Sequence, residues 1–323
     1  MNYYFAPLEG VTGYLFRSLH HRYFPGVDKY YTPFIGLTQK MKFTNKELRD
    51  ILPENNAGIR VVPQVLTNKS GQFLWAAEEI AKLGYEEINL NLGCPAPTVV
   101  TKGKGAGFLE DADELDEFFD EFFREYTKRG LDKAIRVSVK TRIGVRRAET
   151  FPELLAVYNR YPICELTIHP RVREDYYKGG VHMDSFAYGF ENSRAKVCYN
   201  GDVRSESAVF SLQKQFPSLE AVMIGRHMFV DPAFIRSMQG GEPLSPAEDE
   251  AFFTDLFAAY SEAMGGRNAV FHMKDIWSFR YTEADEEEKK LIHRIRKAEK
   301  TEDYQSAVHR YFEARGIEQD LRK

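Results

Sequence analysis

Eight short segments rich in β-branched and aromatic residues alternate with longer amphipathic segments along the chain, and this order limits the folds it can adopt. The predicted strands are Tyr3–Ala6, Lys29–Thr32, Arg60–Val65, Glu87–Asn91, Ile135–Lys140, Cys164–His169, Lys196–Tyr199 and Ala221–Ile224. Between them, apolar residues recur at helical spacing, as in Leu115, Phe118, Phe119 and Phe122. Eight alternations of strand and helix predict an α/β protein with a parallel (β/α)8 barrel, the TIM barrel.

The chain beyond the eighth strand has a different pattern. Glycine, proline and serine are concentrated between residues 240 and 246, and the segment 248–323 contains amphipathic helical patterns without a strand pattern. We therefore expect a barrel domain over residues 1–241 and a small all-helical domain over residues 242–323.

Composition narrows the class of protein. Hydrophobic residues make up 43% of the 323 residues, which is enough for a sizeable core. Three widely separated cysteines favour neither a disulfide framework nor a zinc site, so we expect no metal. No segment has the roughly 18 consecutive apolar residues that a membrane helix needs, and the first residues lack the pattern of a secretory signal, so we expect an unsecreted protein. A cytoplasmic, non-membrane protein fits best.

Active sites of TIM barrels form from the loops after the carboxyl ends of the strands. Polar or glycine-rich residues occupy these positions throughout. The candidates there are Pro7, Leu8, Glu9, Gln64, Cys94, Lys140, His169, Asn200, Gly201, Asp202, Gly225 and Arg226. Lys140 and His169 end hydrophobic strands, where burial is costly without a partner, so a bound ligand is a natural explanation.

The last two strand ends, YNGDV (199–203) and MIGRHMF (223–229), place glycine and backbone amides ahead of predicted helices. Loops after strands seven and eight commonly form the phosphate site of these barrels, and Arg226 adds a charged donor. This pattern favours a phosphorylated cofactor over simple turns. Lys140 suits the electron-rich end of a flavin ring, and Gln64 suits its edge.

The segment NLNLGCP (89–95) ends the fourth predicted strand with a cysteine between glycine and proline. Gly93 permits a sharp turn and a close approach to a ligand, Pro95 fixes the exit of the chain, and Asn91 offers an amide beside Cys94. A buried cysteine at a strand end is the alternative interpretation.

Together these motifs resemble the tRNA-dihydrouridine synthases, flavoenzymes that reduce uridines in tRNA. The resemblance rests on APLEGVTGYLFR, NLNLGCPAPTVVTKGKGAGFL, VKTRIG, LTIHPRVREDYYKG, YNGDV and MIGRHMFVDP, which occur in the order of the family's motifs. It implies that FMN contacts Pro7–Glu9, Gln64, Lys140, His169, Asn200–Asp202, Gly225 and Arg226. It also implies that NADPH or NADH is the reductant and that Cys94 is the catalytic proton donor.

Reduction of uracil needs a hydride at C6 and a proton at C5. An ordinary thiol has a pKa of about 8.5 and stays protonated at neutral pH, so Cys94 suits the role of general acid. Asn91 and His169 are placed to orient uracil or flavin. The base must leave its stack, so accessible loop nucleotides of a folded RNA are the expected target.

A polyanionic partner requires local cations, because the net charge is −4. Residues 136–204 carry twelve Lys or Arg against eight Asp or Glu. The predicted RNA contacts are Asn91, Arg142, Arg171 and Arg173 in the barrel, and Arg267, Lys274 and Arg280 in the helical domain. At helical spacing, Trp277, Phe279 and Tyr281 are better explained as core residues than as platforms for base stacking.

Two departures from the family pattern leave the substrate position open. Pro170 follows His169 where many members have glycine, and HMFVDP (227–232) follows Arg226 where alanine-rich segments are usual. The sequence does not decide which uridine is reduced or whether NADPH or NADH is used. It also leaves open whether another structured RNA is the substrate. A monomer is expected. The alternatives are a small-molecule FMN oxidoreductase of the dihydroorotate dehydrogenase or ene-reductase kind and a catalytically silent RNA-binding scaffold.

Overall fold

The computed structural model describes residues 1–321, and within them ten strands form one sheet in which every pairing is parallel. The strands are β1 Asn2–Phe5, β2 Lys29–Tyr31, β3 Ile35–Gly36, β4 Val61–Val62, β5 Gln64–Leu66, β6 Glu87–Leu92, β7 Arg136–Arg142, β8 Ile163–His169, β9 Lys196–Tyr199 and β10 Ala221–Ile224. Their order across the sheet is β3-β5-β6-β7-β8-β9-β10-β1-β2-β4.

A single proline explains why the third predicted strand is observed as two. Pro63 separates β4 from β5 and has no N–H to donate to a ladder. β4 pairs with β2 and β5 pairs with β6, so the two halves of this one segment join the ends of the sheet and close it. The predicted eight-stranded TIM barrel is confirmed, and the two-residue strand β3 is an addition that pairs with β5.

The α-helices of the described residues include the long segments that the apolar spacing predicts. They are α1 Tyr14–Tyr23, α2 Asn45–Ile51, α3 Ser70–Lys82, α4 Pro97–Val100, α5 Ala112–Lys128, α6 Phe151–Tyr158, α7 Met183–Asn192, α8 Glu206–Gln215, α9 His227–Val230, α10 Phe234–Met238, α11 Pro246–Met264, α12 Gly266–Glu283, α13 Glu286–Lys297 and α14 Thr301–Leu321. The C-terminal helices are thus present as expected. Among residues 1–321, no helix is both long and apolar enough to cross a membrane.

The chain forms two compact units by its internal contacts. The barrel unit comprises residues 1–7 and 28–224, and the helical unit comprises residues 8–27 and everything described from 225 onward. Within the helical unit, α1 packs against α11, with Phe16 and Phe252 in edge-to-face contact at a centroid distance of 5.9 Å. The domain boundary after residue 241 stays a prediction.

Strand β6 has one apolar and one polar face, because alternate residues of a strand face opposite sides of the sheet. On β6, the residues Ile88, Leu90 and Leu92 are fully buried apolar side chains, and Glu87, Asn89 and Asn91 alternate with them. The alternation makes β6 an amphipathic strand inside a protein, with hydrogen bonds required along its polar side.

A buried ionic cluster occupies the amino-terminal end of the barrel interior. Lys29 Nζ lies 3.1 Å from Glu87 Oε2 and 3.1 Å from Glu165 Oε1. The hydroxyl groups of Tyr4 and Tyr31 donate to Glu165 at 2.9 and 3.0 Å. The ammonium also lies 4.6 Å from the centre of the Tyr4 ring. One cation therefore holds two carboxylates, and the tyrosines partly compensate the remaining negative charge.

Replacement of Lys29 by methionine should destabilise the barrel strongly. The substitution leaves Glu87 and Glu165 buried without their cation, and breaking such a pair costs about 3–5 kcal/mol. Chemical denaturation would measure the change in the free energy of unfolding. Lys82→Met removes an exposed i,i+3 pair with Glu79 and should cause no measurable change. Equal effects of the two substitutions would contradict a structural role for the cluster.

Candidate active site

The backbone around Cys94 is held by a side chain of the strand that precedes it. Asn91 Oδ1 accepts hydrogen bonds from the backbone N–H groups of Gly93 and Cys94, at 3.0 and 2.9 Å. The Cys94 carbonyl accepts from the Ala106 N–H at 3.0 Å. Gly105 has φ +57°, and a Cβ there would lie 2.9 Å from the Cys94 carbonyl oxygen, so this position requires glycine. The loop that carries Cys94 is therefore fixed from both sides, and Cys94 itself is half-buried.

A chain of amide hydrogen bonds continues from Asn91 into the barrel. Asn91 Nδ2 donates to Gln64 Oε1 at 2.7 Å, and Gln64 Nε2 donates to Asn89 Oδ1 at 2.8 Å. Asn89 Nδ2 then donates to Ser138 Oγ at 2.9 Å. Each amide has a defined orientation, since its oxygen accepts and its nitrogen donates. The structure thus joins two predicted site residues and adds Asn89 and Ser138. The polar alternation in NLNLG (89–93) could have indicated Asn89, and that in VSVK (137–140) Ser138.

Lys140 stands beside this chain, at the strand position paired with Asn91. Its side chain is half-buried, and no residue of the described part of the chain lies within hydrogen-bond or ion-pair distance of its amine. Loss of solvent, together with the nearby positive charge of Arg142, lowers the pKa of Lys140 to about 8. A desolvated cation without an anion fits an electron-rich or anionic ligand, as the flavin prediction requires.

Arg142 is fully buried, so the structure does not present it for RNA contact as the sequence suggested. Its guanidinium donates to three backbone carbonyls: Gly93 at 3.0 Å, Val172 at 2.8 Å and Tyr176 at 2.7 Å. These bonds tie the Cys94 loop to the loop after β8. The pattern of charges along the sequence cannot reveal this arrangement, because the acceptors are backbone groups of distant loops.

Arg171 is also fully buried and therefore leaves the set of surface RNA contacts. Its guanidinium donates to the Gly179 carbonyl at 2.6 Å and forms an ion pair with the Asp202 carboxylate. It also lies 3.3 Å from His169 Nε2. Two predicted cofactor residues, His169 and Asp202, are consequently linked through one buried cation.

The other predicted residues of the barrel unit lie at strand ends or in loops. Asn200 Nδ2 donates to the Met223 carbonyl at 2.8 Å. A Cβ at Gly201 would lie 2.6 Å from Tyr199 Oη, so no larger residue fits there without rearrangement. Pro7, a predicted cofactor residue, is half-buried. Arg173, a predicted RNA contact, has its guanidinium 5.0 Å from the centre of the Tyr176 ring.

Four predicted cofactor residues belong to the helical unit. The Leu8 N–H donates to Thr12 Oγ1 at 2.9 Å, and Glu9 is exposed. The carbonyls of Gly225 and Arg226 accept from the Met228 and Phe229 N–H groups, at 3.0 and 3.1 Å. Gly225 and Arg226 thus form the turn that begins α9, and their contact with a cofactor stays a prediction.

Comparison with known proteins decides the family. The family model described as dihydrouridine synthase (Dus) matches residues 4–312. The chain belongs to the dihydrouridine synthase family. A "probable tRNA-dihydrouridine synthase" of Staphylococcus aureus is 29% identical over 244 residues, covering 70% of this chain and 68% of the relative. One of the same name from Helicobacter pylori is 25% identical over 279 residues, covering 85% of this chain and 82% of the relative.

Solved structures with little sequence identity support the fold. Morphinone reductase aligns with a TM-score of 0.54 at 10% identity, covering 76% of this chain and 87% of that chain. The expectations of a TIM-barrel enzyme and of the dihydrouridine synthase family are confirmed.

In this member of the family, Arg280 is a core residue of the helical unit, and its burial removes it from the candidate RNA contacts. Its guanidinium forms two hydrogen bonds with Asp249, at 2.7 and 2.6 Å, and donates to the Phe229 carbonyl at 2.8 Å. Trp277 is buried beside it and donates to Tyr304 Oη at 3.0 Å. The core interpretation of Trp277 is therefore correct.

The two other predicted contacts of the helical unit share one face of α12. Arg267 is exposed and Lys274 half-exposed, and both lie near the ring of Phe271, which is 45% exposed. The Lys274 ammonium is 4.4 Å and the Arg267 guanidinium carbon 5.9 Å from the ring centre. An aromatic side chain between two cations suits RNA, and the spacing 267, 271 and 274 is the signal that could have identified Phe271.

The burial of Lys140 predicts a pH-dependent stability. Its pKa of about 8 in the folded protein lies below the ordinary lysine value of 10.5. Between these values the unfolded chain binds a proton that the folded protein has released, so stability rises with pH relative to Lys140→Met. Urea denaturation without added cofactor should show this relative gain between about pH 8 and 10. A difference that does not change with pH would indicate an ordinary lysine pKa.

Proposed function

We propose that this protein reduces the C5–C6 double bond of specific uridines in tRNA to 5,6-dihydrouridine, with FMN bound in the barrel and NADPH or NADH as reductant. The observation that carries the proposal is the pairing of Lys140 with Asn91 on adjacent strands. Because of this pairing, the Lys140 ammonium, which has no anionic partner in the described chain, lies beside Asn91, the residue that holds the Cys94 backbone. Relatives named as probable tRNA-dihydrouridine synthases support the choice of substrate.

The residues present fit FMN. Lys140 offers a desolvated positive charge, which would stabilise negative charge on a reduced flavin ring. Gln64 and His169 are buried polar side chains suited to the ring edge. Asp202 would repel a phosphate by itself, but Arg171 neutralises its carboxylate. We retain Gly201, Gly225 and Arg226 as the proposed phosphate contacts on the basis of their sequence motifs. Bound and reduced, FMN would supply the hydride that C6 of uracil accepts.

The protein's own task is then to place the base and to deliver a proton. Cys94 donates its thiol proton to C5, and the thiolate left behind recovers a proton from water, since the residue is only half-buried. Asn91 keeps the thiol in position through the two backbone N–H groups that it accepts. Arg142 restrains the same loop at the Gly93 carbonyl. A misplaced thiol would protonate C5 slowly even with the cofactor in place.

Mapping of dihydrouridine in total RNA tests the proposal directly. Mass spectrometry of RNA from cells with and without this gene should show the loss of dihydrouridine at one or more tRNA positions. Restoration by the intact gene, but not by a Cys94→Ala variant, would assign the loss to this protein's chemistry. Unchanged tRNA, together with inactivity of the purified protein on unmodified tRNA, would refute the proposed reaction and favour a small-molecule substrate or a silent scaffold.

Cys94→Ala should abolish most turnover and leave FMN affinity unchanged. The substitution removes the acid that protonates C5 but none of the proposed contacts to the flavin, and general acids typically contribute about 10²- to 10⁴-fold. Cys164→Ala is the matched control, because it removes a half-buried thiol from β8 that has no proposed role. The measurement is the turnover rate of both variants on tRNA. A fully active Cys94→Ala protein would disprove the role of Cys94 as proton donor.

Lys140→Met should weaken FMN binding and perturb the flavin absorbance spectrum. The variant keeps most of the length of the side chain and removes its charge, which has no anionic partner in the described chain. Fluorescence titration of the cofactor-free protein with FMN measures the affinity. Lys133→Met, an exposed site, serves as control. Equal affinity of wild type and Lys140→Met would exclude Lys140 from the flavin site.

A further inference from the structure

Three lysines without a role in the reaction lie in the loops that follow β5 and β6. Lys69 and Lys102 are exposed, and Lys104 is half-buried. We call these three residues the lysine cluster. The two loops are joined by a hydrogen bond from Asn68 Nδ2 to the Lys102 carbonyl at 3.2 Å. Lys104 Nζ donates to the Leu37 carbonyl at 3.2 Å, so its ammonium is held in one place.

The charge of the lysine cluster is uncompensated. In the described part of the chain, no carboxylate lies within ion-pair distance of any of its three ammonium groups. Partial burial lowers the pKa of Lys104, and the positive charges of Lys102 and Lys69 lower it further. Lys104 is therefore close enough to the other two ammonium groups to be repelled by both. An anionic partner would relieve this repulsion.

The lysine cluster is connected to the Cys94 loop. The segment that carries Lys102 and Lys104 continues into Gly105 and Ala106, which touch Cys94. The Ala106 N–H bonds the Cys94 carbonyl, and a Cβ on Gly105 would lie 3.0 Å from Cys94 Cβ. An RNA whose uracil lies at Cys94 brings its neighbouring phosphates to this part of the barrel.

We infer that the lysine cluster binds the backbone phosphates that flank the reduced uridine in the RNA substrate. The inference rests on the proposed function and adds a barrel surface to the helical face around Phe271. Lysine contacts to phosphate carry no sequence information, so the lysine cluster contributes affinity and position rather than the choice of base. An acidic protein would also suit three cations, but their connection to the Cys94 loop favours the substrate itself.

Two triple variants are compared that lose the same number of positive charges. The first removes the lysine cluster by Lys69→Gln, Lys102→Gln and Lys104→Gln. The control carries Lys82→Gln, Lys128→Gln and Lys133→Gln. The control lysines are exposed residues at the ends of α3 and α5 and in the turn before β7. Binding of an unmodified tRNA transcript to the FMN-loaded protein is measured over a range of salt concentrations. Flavin absorbance and thermal unfolding verify that both variants are folded.

The lysine cluster variant should bind tRNA about tenfold more weakly or worse at moderate salt. Its slope of log affinity against log salt should be smaller by about 2 to 3, because each lost phosphate contact removes close to one. The control should behave as wild type. An unchanged slope in a folded lysine cluster variant would overturn the inference. Failure of the wild type to reduce tRNA would instead refute the proposed function, and the binding comparison would still judge the lysine cluster.

Discussion

The Asn91 side chain is the interaction on which the arrangement of the candidate active site depends. Its oxygen accepts the N–H groups of Gly93 and Cys94, and its nitrogen donates to Gln64. An asparagine is needed, because aspartate lacks the donor and leucine lacks both groups. The position of Cys94 is consequently set by strands of the barrel rather than by the loop alone. Rigid strands provide the accuracy that proton transfer to one carbon atom requires.

Two lysines inside the same barrel show how structural and functional charges differ. Lys29 is satisfied by two buried carboxylates, so its charge belongs to the core. Lys140, on β7, has no such partner in the described chain, and its desolvation lowers its pKa to about 8. Folding tolerates this cost only because stability elsewhere exceeds it. A ligand with negative charge would recover that cost, which is why Lys140 carries the flavin proposal.

Much of the barrel could be predicted from the sequence, since alternating strand and helix patterns are local. Pro63 is a local signal for the split of the third predicted strand, but the different partners of its two halves and the two-residue strand β3 could not be predicted, because they depend on which neighbour completes the ladder. Charged site residues were harder still. Arg142 and Arg280 resemble surface cations in the sequence, yet their partners are carbonyls and a carboxylate far away in the chain. The spacing of residues 267, 271 and 274 is a sequence signal for Phe271, but only the structure shows both cations near its ring.

The central claim is that this protein reduces uridine with the Cys94 loop as proton donor and a flavin bound near Lys140. Single-turnover reduction of tRNA by the purified protein tests that claim most directly. The FMN-loaded protein is chemically reduced without oxygen, mixed with an unmodified tRNA transcript in heavy water, and the RNA is digested for mass spectrometry. We expect one dihydrouridine per flavin oxidised, with one deuterium at C5 and one at C6, because the thiol hydrogen and the N5 hydrogen of reduced flavin both exchange with heavy water. Flavin oxidation without dihydrouridine, or no oxidation by tRNA, would contradict the proposed reaction.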